Sequence, residues 1–186
     1  LGYGQSQTKL IDALVAKNCT IDHTKRKIEA TKGYDCIISY GYRHIINQRV
    51  IDGSGCPIFN LHISYLPYNR GAHPNFWSFY DNTPSGVSIH LIDNGIDTGP
   101  IVKQKYVKFA ESDDTFVKTY SVLIENIENL FLEFLPSLLN DTWTAKKQRG
   151  NGTYHRETDL PKNFSGWNSV ITEELARLDE EGLAHE

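Results

Sequence analysis

The sequence predicts an α/β protein in which a mostly parallel sheet is flanked by helices. Three observations point there. Short apolar, β-branched runs alternate with helical periodicity through the first half, the pattern of right-handed crossover units. One run, Pro57 to Leu61, exits into a loop rich in proline, glycine and asparagine, the kind of strand exit where open α/β sheets bind ligands. Residues 113–139 carry a continuous apolar stripe of Phe116, Tyr120, Leu123, Ile127, Leu130, Phe131, Phe134 and Leu138, as in a long helix lying on a sheet.

In chain order, Leu1 to Ser6 reads as a strand end turning into a helix over 7–17, with Leu10, Ile11, Leu14 and Val15 on one face. The chain opens on Leu1 rather than Met, and the expectation is a first strand shortened at its start. Cys19 to His23 is a short strand candidate, and Asp35 to Ser39 a stronger one. A short helix is expected over 45–51, then the strand Pro57–Leu61 and the loop His62–His73. Pro74 to Tyr80 suits a helix with proline at its first position. Gly86–Ile92 and Ile101–Phe109 read as strands. Ser112 or Asp113 would cap the long helix, and Pro136 would perturb its last turns. Gly150-Asn151-Gly152 is a turn, Trp167–Leu178 a terminal helix, and Asp179 to Glu181 a solvated tail. The expected organisation is a catalytic domain over 1–145 and a C-terminal extension over 146–186.

Composition narrows the classes. With 186 residues, 39% hydrophobic and 23% charged, the chain suits one domain with a real core. A net charge of −4 offers no basic surface for a nucleic acid backbone. No apolar run is long enough to cross a bilayer, so no membrane partner is expected. No signal peptide opens the chain. Cys19, Cys36 and Cys56 lack metal-ligand spacing and suit a reduced, cytoplasmic setting; no metal is expected.

Asn60 and His62 leave the strand two residues apart, so both side chains point to one side. An amide and an imidazole would converge there. Asp97 lies in a second, glycine-bearing loop and could orient the histidine. Each signal alone is met more often by packing or turn roles. The surroundings are more specific. Phe59-Asn60-Leu61-His62-Ile63-Ser64-Tyr65-Leu66-Pro67, then Arg70-Gly71, Pro74 and Trp77, resembles the signature of folate-dependent formyltransferases. Gly86-Val87-Ser88-Ile89-His90 is similar to that family's Gly-Val-Thr-apolar-His strand, with serine for threonine. Asp97-Thr98-Gly99-Pro100-Ile101 with Gln104 is similar to its third element.

The resemblance covers roughly residues 1–140 and implies a Rossmann-like formyltransferase fold. It implies 10-formyltetrahydrofolate as co-substrate and an amine as acceptor. Asn60 would donate to the formyl oxygen, His62 would stabilise the oxyanion and Asp97 would support the charge and take the amine proton. The folate would lie between Tyr42, Arg43, His44 and Ile45 on one side and Leu91, Asp93, Gly95 and Ile96 on the other. For Arg43 and His44 a plain helix start competes evenly with cofactor contact.

The Arg-Gly…Pro…Trp series resembles the methionyl-tRNA and amino-sugar branch, and the acidic chain speaks against tRNA. The expected activity is therefore formylation of a dTDP- or UDP-linked 3- or 4-amino sugar, destined for surface polysaccharide such as lipopolysaccharide O-antigen. Tyr65, Tyr68, Asn69, Arg70, Asn75 and Trp77 are the candidate substrate contacts. Arg70 would pair with a diphosphate or brace its own loop. Thr153 to Arg156 would add to a nucleotide site or to a homodimer contact. Alternatives are the glycinamide ribonucleotide enzyme of purine synthesis, with Gly2 to Ser6 as its phosphate turn; a non-catalytic folate- or nucleotide-binding module; and a hydrolase releasing formate.

Overall fold

The computed structural model describes residues 2–183, with side chains described to residue 180. Leu1 and the end of the acidic run at Glu181 lie outside the described residues and side chains respectively. The first element is a single 3-10 turn, Gln5–Gln7, followed by α1, Leu10–Val15. The helix starts later than predicted because Thr8 Oγ1 accepts the N–H of Leu10 at 3.2 Å. It stops at a residue suited to stop it. Asn18 adopts the left-handed conformation, φ 60°, and the N–H of Cys19 returns to the carbonyl of Leu14 at 3.1 Å. Val15, expected on the buried face, is 57% exposed.

The main sheet has four strands: β1 (Ile37–Ser39), β2 (Ile58–His62), β4 (Gly86–Leu91) and β5 (Ile101–Tyr106), in the order β1-β2-β4-β5. The α/β class and the flanking helices stand as expected. Parallel pairing belongs to the N-terminal half, where β1 runs parallel to β2 and Gly2 bridges Tyr40 in the same sense. The β2–β4 and β4–β5 pairs are antiparallel. The predicted strand at Cys19–His23 does not form. Its region meets the chain start through the Gly2 N–H on the Thr24 carbonyl, 3.1 Å, and the His23 ring on the Gly2 carbonyl, 3.0 Å.

Helix α2 spans Gln48–Asp52 rather than 45–51, since Asn47 caps it by accepting the Val50 N–H at 3.0 Å. Helix α3, Pro74–Tyr80, has proline at its first turn as predicted. Helix α4, Phe116–Leu139, begins after Thr115. Asp113 is not its cap because its carboxylate is spent on the Ala110 N–H, 2.9 Å. Pro136 sits inside the last turns, and the helix continues past it to Leu139. Helix α5 spans Ile171–Leu183, starting four residues after Trp167.

One face of α4 supplies Leu123, Ile127, Leu130, Phe131 and Phe134, spaced by three or four, against Phe59, Leu61, Val87 and Ile89 of β2 and β4. These side chains are essentially inaccessible, and each such burial contributes roughly 1.5–3 kcal/mol. This packing makes β2 and β4 a rigid floor. A second core joins the C-terminal segment to the rest: Ile171 and Leu178 of α5 pack with Phe76 and Trp77 of α3 and Phe116 of α4. A two-stranded parallel ladder adds to it, β3 (Arg70–Gly71) with β6 (Tyr154–His155). Residues 154–178 thus pack on the preceding part of the chain through apolar contacts and backbone bonds.

Candidate active site

Strand β2 delivers Asn60 and His62 to a cavity of about 290 Å³, whose lining also includes Tyr3, Tyr42, Gly71, Asp97 and Tyr120. The period of two puts both side chains on one side of the strand. Phe59 and Leu61, on the opposite face, are clamped in the core. Asp97 arrives from the loop between β4 and β5. Its Oδ1 accepts from Asn60 Nδ2 at 3.2 Å and its Oδ2 from the Gly71 N–H at 2.9 Å. The His62 Nε2 stands 3.7 Å from Oδ2, within electrostatic reach but beyond hydrogen-bond length, and donates instead to the Asn69 carbonyl at 3.1 Å.

A fourth side chain completes the group. His90 lies directly opposite Asn60 in the β2–β4 ladder. Its Nδ1 donates to the Leu91 carbonyl at 2.8 Å, and its Nε2 stands 3.2 Å from Asn60 Nδ2. The same Nε2 lies 3.4 Å from Asp97 Oδ1. Asn60 Nδ2 faces the Asp97 carboxylate, which can only accept, with the His90 ring beside it. That fixes which end of the amide is nitrogen.

Burial alone would push the Asp97 carboxyl upward. The charge of His62, the hydrogen bond and charge of His90 and the Gly71 N–H outweigh it and hold Asp97 well below the usual carboxylate range. Across the cavity, Tyr3 and Tyr120 join hydroxyls at 2.9 Å. Burial, then that hydrogen bond, raises the Tyr120 phenol far above its ordinary value, so it stays neutral. Among the described residues no group of three His, Cys, Asp or Glu is placed to hold a metal ion. No described helix is long and apolar enough to cross a membrane.

Each remaining candidate has a definite place. Tyr42 lines the cavity, its hydroxyl fixed to the Ile28 N–H and the Arg26 carbonyl at 2.9 Å each. Arg43, His44 and Ile45 are exposed beside it, as are Gly95 and Ile96 beside Asp97; Leu91 and Asp93 are half-buried outside the lining. Asp93 organises its own loop, accepting from Thr98 Oγ1 at 2.6 Å and the Gly95 N–H at 3.1 Å.

Several expected substrate contacts are used internally. Asn69 is 1% exposed, bonded to Thr83 and Thr153. Asn75 is 4% exposed and donates to the Phe116 carbonyl and Thr119. Trp77 is 5% exposed, stacked on His155 at 3.8 Å. Tyr65 stacks on Tyr106 at 3.6 Å, and neither it nor Tyr68 lines the cavity. Arg70 braces the loop: its Nε and Nη2 donate to Gln148 Oε1 at 3.1 and 2.7 Å. His90, Gly71, Gln148, Tyr3 and Tyr120 were not among the expected site residues. His90 stood in the Gly-Val-Ser-Ile-His strand as part of the family-like series, and Tyr120 in the helical stripe, where it reads as packing. Gln148 carries no signal of its own.

A family pattern described as formyl transferase matches residues 12–135. The chain belongs to the formyl transferase family. Among solved structures, this formyl transferase chain is similar to the formyltransferase PseJ from Anoxybacillus kamchatkensis, in complex with UDP-4,6-dideoxy-4-formamido-L-AltNAc and tetrahydrofolate. Identity is 36%, over 92% of this chain and 94% of that one, with a TM-score of 0.83. A dTDP-4-amino-4,6-dideoxyglucose formyltransferase of Mycobacterium tuberculosis is 32% identical over 85% of this chain and 61% of its own length. A methionyl-tRNA formyltransferase of Thermodesulfovibrio yellowstonii is 28% identical over 72% of this chain and 42% of its own. The chain thus spans at most about three fifths of these two curated relatives.

Proposed function

We propose that the chain transfers a formyl group from 10-formyltetrahydrofolate to the primary amine of a nucleotide-linked amino sugar. One observation carries the reading: an amide, an imidazole and a carboxylate line one cavity, the carboxylate 3.2 Å from the amide and 3.7 Å from the imidazole. An amine adding to a formyl carbon builds negative charge on oxygen and positive charge on nitrogen. Both must be answered in place. The folate supplies the activated formyl carbon; as the adduct collapses the bond from that carbon to the folate nitrogen breaks, and the folate nitrogen leaves with the proton that the amine gave up. Asn60 can turn one N–H from Asp97 toward the formyl oxygen, and the imidazolium form of His62 offers a second donor. Asp97, held ionised, balances the imidazolium and accepts the amine proton directly or through water.

The cavity residues fit such substrates. Tyr3, Tyr42 and Tyr120 provide flat aromatic wall, and the turn from Tyr40 to Tyr42 lines the cavity. The folate would lie between the turn Tyr42–Ile45 and the segment Leu91–Ile96. Ile45, 76% exposed, and Ile96, 43% exposed, give that reading an apolar edge. Tyr3 and Tyr120 replace Tyr65 and Tyr68 as the aromatic surface facing an acceptor sugar. Tyr154 and Trp167, 45% and 41% exposed on the C-terminal segment, support a nucleotide or homodimer contact there. The likeness to PseJ and to the mycobacterial relative favours a 4-amino sugar, used in surface polysaccharide and handled in the cytoplasm.

The test offers 10-formyltetrahydrofolate with a panel of UDP- and dTDP-linked 3- and 4-amino sugars. Formamide product on a 4-amino sugar is expected. Turnover of glycinamide ribonucleotide alone would overturn the assignment, and formate released without any amine would make the chain a hydrolase.

A further inference from the structure

We propose that Gln148 is a positioning residue: it locks the Asp97 loop so that the Asp97 carboxylate faces the cavity. The inference rests on the function proposed above. Asp97 has φ 53°, a left-handed conformation that costs a non-glycine residue roughly 1–2 kcal/mol. Something must hold it there. Gln148 Nε2 donates to the carbonyls of both Asp97 and Gly99, each at 2.8 Å, so one nitrogen spans the turn. The other end of the amide accepts from Arg70 Nε and Nη2. A guanidinium can only donate and carbonyls can only accept, so the orientation of the amide is unambiguous.

The contacts close a ring. Arg70 precedes Gly71, whose N–H holds Asp97 Oδ2 at 2.9 Å. Gln148 therefore joins the strand that grips the Asp97 carboxylate to the backbone that carries it. Both of its hydrogens and its acceptor oxygen are used, and its side chain reaches the loop from a segment fifty-one residues away. None of this places Gln148 in contact with a substrate. It acts through Asp97.

Glutamate at 148 separates the two halves of the role, since it keeps size and the Arg70 partner but has no N–H to give. Gln148→Ala and Gln148→Glu should both lower kcat about 10- to 100-fold, the scale of a misplaced catalytic group, with KM for both substrates within about threefold. Circular dichroism and thermal melting would report whether each variant is folded. Wild-type kcat in Gln148→Glu, or a loss confined to KM, would overturn the proposal. A second readout does not need turnover. The Asp97 carboxyl, faced by His62 from β2, His90 from β4 and the Gly71 amide from β3, should titrate closer to an ordinary carboxylate in both variants by carbon-detected NMR. An unchanged titration in Gln148→Ala would overturn the clamp. Absence of formyl transfer by the wild type to any amine would instead sink the function and leave the NMR result to judge the clamp.

Discussion

Asp97 is held ionised by His62, His90 and the Gly71 N–H against its own burial. Its folded pKa lies below the unfolded value, about 3.9. The group therefore stabilises the fold fully above about pH 4, and that contribution is lost as pH falls through the folded pKa. Asp97→Asn should cut kcat about 10²- to 10⁴-fold at neutral pH, the range for a removed proton acceptor. Its deficit in urea midpoint against wild type should narrow as pH is taken below about 4; a constant gap would disprove the titration. At this scale the meeting of Asn60, His62 and Asp97 at one cavity was legible, through the strand period for the first two and the ordered formyltransferase-like series for all three. Asn69, Asn75 and Trp77, expected as substrate contacts, are buried in the fold. Polar and aromatic types in a proline-rich loop look exposed, whereas their partners Thr153, Phe116 and His155 lie 84, 41 and 78 residues away. Local pattern holds no trace of such pairings. Gln148 was invisible for the same reason.

Elements whose ends are set by local chemistry matched closely. Proline at the start of α3, and the apolar periodicity of α4, needed no tertiary knowledge. Ends set by side-chain bonds shifted by a few residues, as at Thr8, Asn18 and Asn47. The antiparallel half of the sheet was not read from alternating strand and helix, because pairing partners are a matter of topology. Strand β3 is the smallest element and the one that ties site to scaffold. Gly71 has φ 88°, and a Cβ there would meet the His155 carbonyl oxygen at 2.2 Å. Gly71→Ala should therefore destabilise the chain by more than about 1 kcal/mol, through a left-handed strain and a displaced β6. It should also depress kcat beyond what the melting shift explains, because the Gly71 N–H leaves Asp97. A variant with wild-type melting and turnover would show that β3 tolerates the side chain.

At the scale of the molecule, two of the apolar cores among the described residues differ in sequence reach. The sheet core is built from residues 10–135, and the second core closes only when Ile171 and Leu178 reach Phe76, Trp77 and Phe116. The ladder β3–β6 is parallel and joins residues 84 apart in sequence, a pairing whose closure entropy must be met before it is rewarded. On refolding from urea, helical circular dichroism should return before formyl-transfer activity, and a His155→Ala variant, which loses the 2.7 Å bond to Asp81 and the stack on Trp77, should widen the interval. Simultaneous recovery of both signals would contradict this order. On that order the sheet that carries Asn60 and His62 would arise first, from nearby sequence, and the ring that aims Asp97 would wait for residues 148–155. During synthesis a chain interrupted before that stretch would hold the reacting side chains without their alignment, so catalytic competence marks a chain translated past its docking segment.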